Sequence, residues 1–138
     1  MVGVMEPLEE LLKLLDRHFD GSVKVVLLFG SRARGLAGLG SDYDILVIVG
    51  EDKSDKREFW KELFRLELKL GVSFDVIILR EGELSADNPL LWGILTGYRV
   101  LHGEEHWKGM LEALKRDIRK RKPRLIEGDK QWQIAQLV

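Results

Sequence analysis

Three features of the sequence predict an α/β (α+β) fold, a small mixed β-sheet flanked by helices with additional C-terminal helices. Apolar runs of strand length occur at Val23 to Phe29, Asp44 to Val49 and Phe74 to Leu79, each bounded by glycine or polar residues. Between the second and third runs lies a helix-length stretch with apolar residues at helical spacing, which serves as a crossover connection. Beyond the third run, apolar residues recur at helical spacing. A chain of 138 residues holds one domain with a real core. The boundaries expected are a single domain over residues 1–138, its core at about 5–80 and a helical extension at about 88–122.

In order, Pro7 followed by Leu8, Leu11, Leu12, Leu15 and Phe19 gives a helix with one apolar face, and Gly21 supplies its stop. The strand from Val23 ends at Gly30-Ser31, read as a sharp exit before a short helix beginning at Arg32 and broken by Gly40. The next strand is apolar without alternation, as a central strand covered on both faces would be. A helix then runs from Asp55 or Lys56 to Leu70, with Phe59, Leu63, Leu66 and Leu70 inward and Trp60 and Phe64 widening the buried stripe. After the strand at Phe74, Asn88 is a helix cap with Pro89 at the first helical position. Leu91, Ile94, Leu95 and Tyr98 give that helix its face, and Trp107, Met110, Leu111, Leu114 and Ile118 give the next one theirs. The segment from Gln131 to Val138 reads equally as strand or helix.

Composition narrows the chemistry. Without cysteine there are no disulfides, thiolate metal sites or cysteine nucleophile, which suits a cytoplasmic protein. The formal net charge of -1 gives no general reason to expect nucleic acid binding, and no apolar run approaches membrane-spanning length. The basic segment 115–124 reads first as a solvated helix end and second as an acidic-partner or nucleic acid surface. His102 and His106 have helical metal-pair spacing, but Gly103 lies between them and no third ligand is near in sequence, so a surface or interhelix role is expected. The tryptophans and terminal apolar residues allow a homo-oligomer.

The chemical constellation is Gly30-Ser31-Arg32-Ala33-Arg34-Gly35 followed by Ser41-Asp42-Tyr43-Asp44. Each half has an ordinary reading: a turn with two solvated arginines, and a pair of turn and strand-cap carboxylates. Asp75 shifts the balance, because it begins another apolar strand where a purely structural residue is more often apolar or β-branched. If the strands of Asp44 and Asp75 are neighbours, three carboxylates converge beside a glycine turn, an all-oxygen site suited to Mg²⁺ or Mn²⁺. In strand geometry Asp42 and Asp44 face one way and Tyr43 the other, as a packing residue.

This combined pattern resembles the signature of the polymerase-beta-type nucleotidyltransferase superfamily, specifically its small stand-alone members, the minimal nucleotidyltransferases. The resemblance covers Val23 to Leu79. It implies the nucleotidyltransferase fold, with ATP or another NTP as substrate. By the same resemblance Gly30 and Ser31 contact the β- and γ-phosphates, Asp42 and Asp44 ligate two metal ions, and Asp75 completes the metal site and helps activate the acceptor hydroxyl. Arg32 or Arg34 is implied to reach phosphate. Many small members are encoded beside a HEPN-type helical partner, and some act as antitoxins by transferring AMP to a tyrosine of that toxin. The expected function is therefore Mg-dependent NMP transfer to a hydroxyl, most simply on a HEPN-type partner. The alternatives are a small-molecule acceptor of the antibiotic-modifying kind and a non-catalytic module that neutralises its partner by binding.

Overall fold

The computed structural model describes residues 6–35, 42–50 and 55–121. Along the chain run α1 (Glu6–Phe19), β1 (Val23–Phe29), α2 (Gly30–Ala33), β2 (Tyr43–Val49), α3 (Arg57–Leu70), β3 (Phe74–Arg80), α4 (Leu90–Leu95), β4 (Tyr98–His102) and α5 (Glu104–Arg121). One mixed sheet forms with strand order β3-β2-β1-β4. β1 pairs antiparallel with both β2 and β4, whereas β2 and β3, joined through α3, run parallel. The mixed α/β architecture expected from the three apolar runs is the one observed.

The uninterrupted apolar runs of β1 and β2 follow from their central places, where both faces need cover. Val25, Leu27, Leu46 and Ile48 point into one core, closed by α4 and α5 through Leu91, Ile94, Trp107, Leu114 and Ile118. Val26, Leu28, Ile45, Val47 and Val49 point into the other, closed by α1 and α3 through Leu11, Leu15, Phe19, Phe59 and Leu63. The period of two along each strand thus divides one continuous apolar run between two packed layers.

The region after β3, read as wholly helical, contains β4. Leu91, Ile94, Leu95 and Tyr98 do match helical spacing, but α4 stops at Leu95, and Gly97 precedes the extended Tyr98–His102. Pairing with the open edge of β1 decides the outcome there, a gain that local periodicity does not carry. Consequently His102 ends β4 and His106 lies on α5, where it contacts Glu81. Pro89 is the N-cap of α4, and the Asn88 side chain accepts the Leu90 N–H at 2.9 Å, one position away from the expected arrangement.

Two other expectations need correction. Trp60 and Phe64 do not widen the buried stripe of α3: they are 42% and 61% exposed. Gly30-Ser31 is not a turn before a helix but the beginning of α2 itself. The predicted continuation of that helix beyond Gly35, Ser41, residues 122–124 of the basic run and the segment 131–138 lie outside the described residues. None of the helices among the described residues is long and apolar enough to cross a membrane.

Between β4 and α5, Gly103 has φ +79°, and a Cβ there would stand 1.9 Å from the Lys24 carbonyl oxygen on β1. Backbone on both sides leaves no flexible side chain to give way. Gly103→Ala is therefore expected to cost about 2–4 kcal/mol, read as a fall in the denaturant midpoint. An unchanged midpoint would mean that β4 does not pack this closely on β1.

Candidate active site

Strand directions assemble the site. Because β1 and β2 are antiparallel, the last residue of β1, Phe29, pairs with Asp44 near the start of β2. Because β2 and β3 are parallel, Asp44 in turn pairs with Asp75. Gly30, directly after Phe29, therefore meets Asp44, and Asp75 stands on the far side of Asp44 at the same end of the sheet. Asp44 is partly buried, and Asp75 is exposed on the edge strand.

Gly30 has φ +75°, a conformation that L side chains rarely adopt. A Cβ at this position would lie 2.1 Å from Asp44 Oδ2. The missing side chain is thus the space that the Asp44 carboxylate occupies. α2 starts at this same residue, and first-turn amides have no acceptor within a helix. Amide donors and carboxylate acceptors consequently stand side by side.

Burial pushes the Asp44 carboxyl above the usual carboxylate range, and the negative charges of Asp75 and Asp42 and a hydrogen bond with Asp75 push it the same way. Among the described residues, no three His, Cys, Asp or Glu side chains form a metal-holding cluster. Of the three predicted carboxylates, the structure brings Asp44 and Asp75 into contact, while the exposed Asp42 acts on Asp44 through its charge. The donor chemistry fits a hard divalent cation, since carboxylate oxygens crowd one another beside a cradle that any Cβ would fill.

The two arginines part company. Arg32 lays its guanidinium carbon 3.9 Å from the centroid of the Tyr43 ring, and Tyr43 itself is buried and tilts against Phe74 at 5.5 Å. Tyr43 thus packs away from the acids, as alternation predicts, and is also a platform for Arg32. Arg34 is exposed, and its side-chain stem crosses Gly97, where a Cβ would stand 2.5 Å from Arg34 Cγ. Sequence reasoning missed Gly97. Its one visible signal is a glycine immediately before the aromatic and β-branched run of β4.

The family model described as "Nucleotidyltransferase domain" matches residues 8–102, from α1 through β4. A protein of Methanocaldococcus jannaschii named "Putative protein adenylyltransferase" is 33% identical over 138 residues, covering 95% of this chain and 94% of the relative. Among solved structures, the tri-AMPylated Shewanella oneidensis HEPN toxin in complex with MNT antitoxin includes a chain that aligns with a TM-score of 0.53 at 21% identity, covering 88% of each chain. The spectinomycin adenyltransferase of Enterococcus faecialis with ATP and spectinomycin aligns at 0.61 with 16% identity, covering 91% of this chain and 68% of that one. The family match takes in the glycine cradle and both contacting carboxylates and ends with the strand that sequence periodicity had concealed: the chain is an enzyme of the nucleotidyltransferase domain family.

Proposed function

We propose that this chain is a protein adenylyltransferase that moves AMP from ATP to a tyrosine hydroxyl of a HEPN-type partner toxin, and so acts as its antitoxin. The observation that carries the reading is the contact of Asp44 with Asp75 beside the Gly30 cradle. The near full-length similarity to a protein named for adenylyl transfer to protein supports this choice of acceptor class. So does the fold shared with an MNT antitoxin that stands in complex with an AMPylated HEPN toxin.

Asp42, Asp44 and Asp75 are the residues that would hold Mg²⁺ or Mn²⁺. Bound there, the metal would neutralise phosphate charge and make the attacking hydroxyl more acidic. The backbone amides of Gly30 and Ser31 bind the outer phosphates, and Arg32, steadied by Tyr43, and Arg34, held along Gly97, offset their charge. Asp75, exposed on the edge strand, stands on the open side from which an acceptor approaches and receives the hydroxyl proton. The acceptor oxygen forms a bond to the α-phosphorus as the α–β bridging bond breaks, and pyrophosphate departs with that electron pair.

Incubating the chain with a HEPN-type protein from the same genome, ATP and Mg²⁺ is expected to raise that protein's intact mass by one adenylyl group per modified tyrosine. Chelator is expected to stop the gain. Spectinomycin present as a competing acceptor should stay unmodified. An unchanged partner mass, or label on the small molecule alone, would overturn the protein-acceptor reading.

A further inference from the structure

The outward face of α3 has no role in the site just described. Trp60, Phe64 and Leu68 recur every fourth residue and are 42%, 61% and 69% exposed, the exposed large hydrophobic residues among those described. They form one apolar ridge about 12 Å long. Trp60 and buried Phe59 pack edge to face with ring centroids 5.0 Å apart, so the near end of the ridge is held in place.

A line of cations, Arg57, Lys61, Arg65 and Lys69, runs beside the ridge with the same spacing. The acids of α3 are already engaged. Glu62 binds Arg17 and His18, Glu67 accepts the Phe74 N–H at 2.8 Å, and Glu58 lies 3.5 Å from Lys61. Asp55 likewise takes Arg57. Arg65 and Lys69 have no ion-pair partner among the described residues. They line a cleft of about 390 Å³ between α3 and α1, floored by Leu14 and Leu66.

We propose that this face docks the protein that receives the nucleotide, through a helical surface with its own apolar ridge rimmed by carboxylates. Charge selects this occupant. Two copies of the chain packed antiparallel across the ridge would set one line of cations against the other, whereas carboxylates beside an apolar ridge match both lines and reach the cleft. Position supports it as well. Only Gly71, Val72 and Ser73 separate the Leu68 end of α3 from Phe74 and Asp75. A partner seated on the ridge therefore lies beside the edge strand on which Asp75 is exposed. The inference rests on the proposed protein acceptor and adds where that acceptor binds.

The test is calorimetric binding of the full chain to a purified HEPN-type protein from the same genome, for wild type, Phe64→Glu/Leu68→Glu and Arg65→Glu/Lys69→Glu. These side chains are exposed, so thermal unfolding should stay near wild type. The apolar double variant is expected to weaken partner binding by about 100-fold and the charge double variant by about tenfold, with the wild-type affinity falling as salt rises. Affinity for ATP with Mg²⁺ should remain within about twofold. Unchanged partner affinity in both variants, or no wild-type binding, would overturn the proposal. A wild-type dimer that these variants dissociate would overturn it in favour of a second copy. Binding through this face without any mass gain on the partner would instead remove the transfer reading and leave the docking site standing.

Discussion

Asp44→Asn is expected to lower the rate of adenylyl transfer by about 10³-fold or more, because it removes charge from the one carboxylate in contact with both the cradle and Asp75. The same variant should fold at least as well as wild type. A carboxyl whose pKa is raised on folding is protonated more readily in the folded chain, so its ionised form opposes folding at neutral pH, and that opposition relaxes as pH falls toward the folded pKa. Asn removes the charge, and in chelator its unfolding temperature should equal or exceed that of wild type at pH 7. Mg²⁺ is expected to raise the unfolding temperature of wild type and to raise that of Asp44→Asn much less. Single-turnover labelling and thermal unfolding with and without Mg²⁺ check both halves. If Asp44→Asn neutralises the partner as well as wild type does, the protein acts by binding alone.

Gly30→Ala is expected to cost about 100-fold in transfer, because the added Cβ would need the position of Asp44 Oδ2. Strain at φ +75° adds a stability penalty of about 1–2 kcal/mol. Gly21→Ala separates the two effects. Gly21 has φ +79° with nothing within 4 Å of where a Cβ would stand, and it lies between α1 and β1, at the opposite end of β1 from the site. It should lose comparable stability and no activity. Equal loss of activity in both variants would show that general strain, rather than displacement of the carboxylate, explains the Gly30 effect.

How well the sequence could be read depended on whether each element was decided locally. β1, β2 and β3 were legible because a strand covered on two faces has to be apolar throughout, and α1 and α3 because their inward faces repeat at helical spacing. β4 was not, since Tyr98 fits the periodicity of α4 and only pairing with β1 holds it extended. Trp60 and Phe64 were misread for a related reason: apolar character predicts burial in the chain's own core and cannot separate that from a face left outward. At the site, Gly30, Asp42, Asp44 and Asp75 stood out by residue type and position. The crossing of Arg34 over Gly97 could not, because it joins two loops whose approach depends on β4.

The parallel pairing of β2 with β3 also ties chemistry to completion of the fold. Gly30 and Asp44 come together through the β1–β2 pair, a connection short enough to close early. Asp75 arrives only when the chain has passed through α3 and β3 has docked in register on β2. A chain with its first two strands paired and its third still free carries the cradle without the second carboxylate. With the role proposed for Asp75, a copy in which β3 is still undocked is expected to lack transfer activity.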